Sequence, residues 1–332
     1  MTDDGNHGSR PAAFVGVDVS KGHLDVAFRP GGEACRFANS EAGIAGLIAR
    51  LKASPPELVV LESTGGFERP VAVALTAAGL HARIVDPARA RHFAGALGEH
   101  SKTDAIDARV LARFAEAVRP EARPLPDAET LELQALLDRR SQWIGMRTAE
   151  RNRLHQGPTA AVRRGLADHV AYLDARVADV DEEIESRIRA HKDWGPRDEV
   201  LRSIPGVGAQ TSRALIGHLP ELGGLTGKQV AALAGLAPRA RDGGAHTGER
   251  SIFGGRKEVR TAPYMAALSA SRYNPHLKAV YRRLREAGKK PKVALTAVAR
   301  KLLTIANAMI RDMTHWTPNH AAENAEIPTP AT

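Results

Sequence analysis

Hydrophobic residues recur at two different periods along this chain, and the period changes with position. From Phe14 to Phe28 apolar and polar residues alternate in two runs around Ser20-Lys21-Gly22, which predicts a β-hairpin. Leu58–Leu61 is a short continuous apolar run, the pattern of a buried strand, and Ala82–Val85 is another. Between and after them the period lengthens to that of a helix. Glu41–Lys52, Arg69–Gly79, a segment opening at Pro87, and Lys102–Ala117 all read this way. Strands alternating with helices predict an α/β domain of about 120 residues.

Beyond Pro120 the strand period disappears. Pro120–Pro126 reads as an extended linker. Leu131–His155 and then Ala160 to about His191 carry apolar residues at helical spacing among many charges, broken by Gly157-Pro158. That predicts an antiparallel coiled-coil hairpin, which also offers a dimerisation surface; an ordinary helical bundle is the alternative. Leu201–Leu219 contains Ile204-Pro205-Gly206-Val207-Gly208, the turn of a helix-hairpin-helix. Gly206 and Gly208 would let the backbone approach a phosphate, with the next helix presenting free N–H groups. A purely structural turn is the alternative. Val230–Arg311 is helical with a glycine-rich break at 242–255. The expected class is therefore α/β followed by all-α. The expected division is a flexible leader at 1–12, the α/β domain at 13–119, a linker at 120–126, the hairpin at 127–195, a helical C-terminal domain at 196–316 and a flexible tail at 317–332.

Composition narrows the function classes. The single cysteine, Cys35, excludes an intrachain disulfide framework and a cysteine-rich zinc site, and suits a reducing cytosol. The N-terminus lacks a signal-peptide core, and no apolar run in the sequence approaches a membrane span, so a membrane partner is not expected. The net charge of +9 is unevenly placed. Residues 239–311 hold 17 Lys+Arg against 4 Asp+Glu, whereas the rest of the chain holds 30 against 34. A basic region of this kind suits a polyanion. Arg239, Arg241, Arg250, Arg256, Lys257 and Arg260 lie in or beside the glycine-rich break, where arginines suit phosphate clamping. Arg272 follows them, and Lys21 and Lys102 flank the acidic motifs described next; all three are further candidates for nucleic-acid contact. Tyr264, Tyr273 and Tyr281 fit core positions better than base stacking.

Four acids carry the candidate chemistry. Asp18 sits inside an apolar strand run, Glu62 ends a second one, and Asp104 with Asp107 opens a helical pattern at i,i+3, which puts both on one face. Each alone reads as a turn or cap residue. Together they are hard to explain by solvation, because a buried carboxylate without a partner is costly. Mg²⁺ prefers oxygen ligands and keeps several waters, so a few carboxylates suffice. Two such ions could serve phosphodiester chemistry.

The motifs G-V-D-V-S-K-x-x-L-D-V-A, L-E-S-T-G-G, K-T-D-A-x-D-A, I-P-G-V-G, G-L-A-P, G-G-R-x-x-V-R and Y-M-A-A-L, in this order, resemble the DEDD transposases of the insertion-sequence one-ten family, related to Piv-type DNA invertases. The resemblance spans about residues 13–316. It implies a RuvC-like RNase H fold at the N-terminus, a coiled-coil insertion and a C-terminal transposase domain with the helix-hairpin-helix. It implies Asp18, Glu62, Asp104 and Asp107 as ligands of Mg²⁺, with Mn²⁺ as a substitute. It implies a bridge RNA pairing with donor and target double-stranded DNA, a homo-oligomer (dimer or tetramer), and a bacterial cytoplasmic, nucleoid-associated setting. One departure stands out: the family's nucleophilic serine follows an Asp in the glycine loop, and here Asp242 is followed by Gly243. Thr247 and Ser251 are nearby hydroxyls outside that register. Two other readings are a non-cleaving RNA- and DNA-binding descendant, and a sugar-kinase-like ATPase sharing G-x-D-x-S-x-x-x-x-D. The absence of a later glycine-rich adenosine motif and the basic C-terminus oppose the kinase.

Overall fold

The computed structural model describes residues 13–99, 104–120, 127–239 and 250–317. The chain forms two compact units, 1–125 and 126–332. The first is a five-stranded mixed sheet with helices on both faces. Strand β1 (Phe14–Val19) turns back into β2 (His23–Arg29), and β3 (Ala34–Ala38) pairs antiparallel beyond it. After α1 (Glu41–Ala53), β4 (Leu58–Glu62) runs parallel to β1. After α2 (Glu68–Ala77), β5 (Ala82–Val85) runs parallel to β4. Helices α3 (Pro87–Ala96) and α4 (Asp104–Val118) follow, giving strand order β3-β2-β1-β4-β5. This mixed sheet is compatible with a RuvC-like DEDD domain.

Strand alternation sorts the sheet into two faces. Val15, Val17, Val59 and Leu61 are fully buried with Leu47, Leu51, Val71 and Leu75 from α1 and α2. Phe14, Leu58, Val60 and Val85 are buried on the other face with Leu111, Phe114 and Ala115 of α4. Gly16 lies between Phe14 and Asp18 on that second face. A Cβ there would sit 2.2 Å from the Ala108 carbonyl oxygen and 2.3 Å from the Ala112 nitrogen. Only glycine lets α4 lie directly on β1. The hydrophobic pattern does not predict β3. Its five residues alternate with only Cys35 and Phe37 turned toward the core, as suits a short edge strand.

In the second unit α5 (Ala128–His155) and α6 (Ala160–Ala190) form a helical hairpin. Ion pairs fix it as antiparallel: Arg187 with Glu132, Arg140 with Asp181 at 2.7 Å, and Arg147 with Asp174 at 2.7 Å. Its base, through Leu133, Leu137, Val180, Ile184 and Ile188, belongs to the same core as the C-terminal helices. Those are α7 (Trp194–Arg202), α8 (Ala209–His218), α9 (Gly227–Leu233), α10 (Lys257–Tyr273), α11 (Pro275–Glu286) and α12 (Pro291–Asp312). Buried Arg213 of α8 ties that core to the hairpin through Asp181, at 3.0 Å, and Glu185. Against the expectation that no apolar run approaches a membrane span, helix α12 is long and apolar enough to cross one; much of it is buried inside this unit, where Val298, Leu302 and Leu303 are fully enclosed. The two-residue strands β6 (Pro238–Arg239) and β7 (Ser251–Ile252) pair antiparallel across the glycine-rich break. Tyr264 and Tyr281 pack on the core as expected, whereas Tyr273 is 73% exposed.

Candidate functional site

Strand register sets Asp18 beside Glu62, and helix direction turns the first turn of α4 toward their face. Val17 pairs with Leu61 across parallel β1 and β4, so Asp18 and Glu62, one residue further on, lie side by side at the carboxyl ends of these strands. Both share the alternation of Phe14, Leu58 and Val60, so both belong to the α4 face. Helix α4 runs opposite to β1. The Arg119 guanidinium at its end lies 5.0 Å from the Phe14 ring, and Ala108–Ala112 lie on Gly16. The first turn of α4, holding Asp104 and Asp107, is therefore directed toward the end of β1 that carries Asp18. Asp18, Glu62 and Asp107 are each half-buried. Asp104 opens the helix, and its side chain lies outside the described residues, as does Lys102. Among the described side chains no three metal-ligating groups are close-set. The donor set is entirely carboxylate oxygen in a half-buried setting, which fits a hard divalent cation in its chemistry.

In the second unit the glycine-rich break is held at its base. Gly235 and Gly255 cross backbone on backbone: a Cβ on Gly235 would lie 1.9 Å from the Gly254 carbonyl oxygen, and both glycines have positive φ. Arg256 donates to both carboxylate oxygens of Glu221, at 2.8 and 2.7 Å, and to the His218 carbonyl at 2.9 Å. Arg260 donates to the Gly254 carbonyl at 2.7 Å. These two arginines are committed to fixing the turn. Arg250, Lys257 and Arg272 are exposed, as is Lys21 in the β1–β2 turn. Arg241 and Gly243 lie outside the described residues, as does the Arg239 side chain. The closest approach at Gly206 is to α10, where a Cβ would meet the Ala270 nitrogen at 2.6 Å, while Gly208 has open space before α8.

Two family profiles match the chain. One, described as "Transposase", covers residues 15–157, and the other, "Transposase IS116/IS110/IS902 family", covers 198–282. The chain belongs to this transposase family. It is 29% identical over 310 residues to the pilin gene-inverting protein of Moraxella lacunata, covering 90% of this chain and 95% of that one. It is 34% identical over 165 residues to the insertion element IS900 uncharacterized 42 kDa protein of Mycobacterium paratuberculosis, covering 48% and 40%. The matched stretches of this chain span Asp18, Glu62, Asp104, Asp107 and the glycine-rich break, and family membership supports a DNA-processing activity.

Two residues of this transposase are missed by sequence reasoning. Asp25 stands opposite Asp18 in the β1–β2 register but is 8% exposed and held by Arg36 at 2.9 and 3.1 Å. Its charge is thereby compensated beside the other acids. Glu68, 4% exposed, closes the loop after Glu62. Its carboxylate accepts from the Ser63 and Thr64 hydroxyls, both at 3.2 Å, and from the Thr64 and Gly66 N–H groups at 3.1 and 2.8 Å. Burial pushes this carboxyl up, but the N–H groups of Glu68 itself, Gly66 and Thr64 outweigh it and hold it below the ordinary glutamate range. Its contribution to stability is therefore present above the ordinary glutamate pKa and lost as pH falls through the lower folded value. Glu68→Ala should cost about 1–3 kcal/mol at pH 7 by leaving these donors unsatisfied. Thermal melts of parent and variant should converge on acidification below the carboxylate range. A gap that widens in acid would refute this assignment.

Proposed function

We propose that the chain is an RNA-guided DNA transposase or recombinase. Asp18, Glu62, Asp104 and Asp107 hold Mg²⁺, or Mn²⁺ in its place. The observation that carries this reading is the direction of α4 over β1, which brings its first turn to the face where Asp18 and Glu62 stand side by side. Once bound, the metal would supply Lewis acidity toward a phosphodiester and stabilise the leaving oxygen, the attacking oxygen coming from water or from another hydroxyl such as Ser251 or Thr247. The chain's own side chains do the rest. The four carboxylates draw the cation to the strand ends, Glu68 holds the loop after Glu62 in one conformation, and Arg36 offsets the charge of Asp25.

In this reading a bridge RNA pairs with donor and target DNA and selects both sites, while the protein binds shape and backbone. The working form is a dimer or tetramer in which the RuvC-like domain of one subunit meets the C-terminal domain of another. It acts in the bacterial cytoplasm at the nucleoid. Gly243 stands where the family carries its serine, so no phosphoserine link to DNA forms at that position. That observation favours one second reading, a non-cleaving RNA- and DNA-binding protein of transposase descent.

The test is to express the chain with its flanking DNA, sequence the RNA that co-purifies, and incubate the complex with labelled donor DNA and Mg²⁺. RNA complementary to the flanks together with metal-dependent strand scission supports the first reading. Complementary RNA without scission supports the second. Purification free of RNA would sink guidance.

A further inference from the structure

Helix α11 has one face spent on the core and one left to solvent. Leu277 is fully buried, and Val280 and Tyr281 pack on the same core. The opposite side carries Lys278, Arg282 and Arg285 at i, i+4 and i+7, with Arg283 beside them, all exposed. The turn into α12 adds exposed Lys289, Lys290 and Lys292. Arg285 donates to the Lys289 carbonyl, so the turn is pinned to the end of the helix. Seven cations therefore lie within residues 278–292 against one acid, Glu286, which sits 3.6 Å from Arg282.

A solvated charged face normally mixes its signs, as α5 and α6 do here: Arg140, Arg147, Arg151 and Arg187 each meet a carboxylate within 3 Å. On α11 and its turn, Lys278, Arg283, Lys289 and Lys292 have no carboxylate partner among the described residues. The unbalanced charge also reaches inward. Burial lowers the pKa of Lys301 and the Arg283 charge adds to it, and His276 is lowered by burial, Lys301 and Arg283. An array of like charges held rigid costs stability unless an anion screens it. Membrane docking does not fit, because the apolar face of this amphipathic helix is already covered. Base stacking does not fit either, because the one aromatic in the stretch, Tyr281, is turned to the core.

We propose that the exposed face of α11 and the α11–α12 turn form a docking surface for the phosphate backbone of double-stranded DNA, separate from the glycine loop. It contacts phosphates without reading sequence. The inference rests on the DNA-processing reading, and its test leaves the four acids and the loop untouched.

The measurement is binding of the full chain to duplex DNAs of unrelated sequence across a salt series. The variants are Lys278→Gln, Lys289→Gln and the fourfold K278Q/R283Q/K289Q/K292Q. Each single change should lower the slope of log affinity against log salt by about 1, and the fourfold change by about 3–4, equally for all sequences. The fourfold variant should melt no lower than the parent, because repulsion is relieved. The exposed pair Arg50→Gln and Lys52→Gln on α1 should leave the slope as it is. Parental slopes in the single and fourfold variants would overturn the proposal. So would a slope change seen with duplex or single-stranded RNA but absent with DNA. A parent that cuts no DNA, with the slope lowered in the variants as expected, would count against the active-site reading and leave this surface standing.

Discussion

Gly243→Ser should turn a chain that leaves donor DNA free into one that carries it covalently. The expected effect is from none to a readily seen band on a denaturing gel of protein, labelled donor DNA, co-purified RNA and Mg²⁺. Assembly with nucleic acid depends on carboxylates and basic surface, neither of which needs a hydroxyl at 243. Bond breaking by the protein does need an attacking oxygen. The base of the loop is already held by the β6–β7 pairing, the Gly235–Gly255 crossing and the Arg256–Glu221 bridge. A serine introduced into the loop would therefore work from a fixed base. Efficient attachment by the unmodified chain would show that another hydroxyl serves, with Ser251 and Thr247 the first to replace.

Gly16→Val should unfold or severely loosen the N-terminal unit. The added Cβ would meet the α4 backbone at 2.2 Å, and backbone cannot swing aside as a flexible side chain can. Overpacking of this kind costs about 3 kcal/mol. The displacement also moves the first turn of α4 away from Asp18, so metal affinity should fall with stability. Gly46→Ala is the control in the same unit. Its Cβ would meet the Phe37 ring at an ordinary 3.5 Å, and removing a helical glycine should gain about 0.5–1 kcal/mol. Chemical denaturation of the two variants should move in opposite directions. A Gly16→Val chain as stable as the parent would mean that α4 does not rest on β1.

Much of the architecture was legible because it is written in periodicity. The β1–β2 hairpin, β4, β5 and the long helices of the hairpin all follow from apolar spacing. Strand alternation also explains why Asp18 and Glu62 share a face, since each follows Phe14 or Leu58 by four residues. The i,i+3 spacing on α4 does the same for Asp104 and Asp107. The edge strand β3 was hidden because only two of its five side chains turn inward. Glu68 was hidden because its role exists only once the loop closes on it; in sequence it is one more acid at a helix start. Charge counting marked residues 239–311 as basic but could not separate committed arginines from free ones. Arg256 is occupied by Glu221 and His218, whereas Lys278 and Lys289 have no carboxylate partner among the described residues. Gly255 reads in sequence only as the end of the glycine-rich break, whereas its structural reason, shared with Gly235, is a crossing of the two backbones.

The central claim, that Asp18, Glu62, Asp104 and Asp107 form one metal site, is met most directly by Mn²⁺ binding. Paramagnetic resonance of the free ion, titrated against the full chain at neutral pH, reads occupancy without requiring cleavage. Each of Asp18→Ala, Glu62→Ala, Asp104→Ala and Asp107→Ala should weaken binding roughly 10-fold or more. None should lower the melting temperature of the metal-free chain, because removing one acid relieves repulsion among the others. Four variants that bind Mn²⁺ as the parent does would contradict the claim.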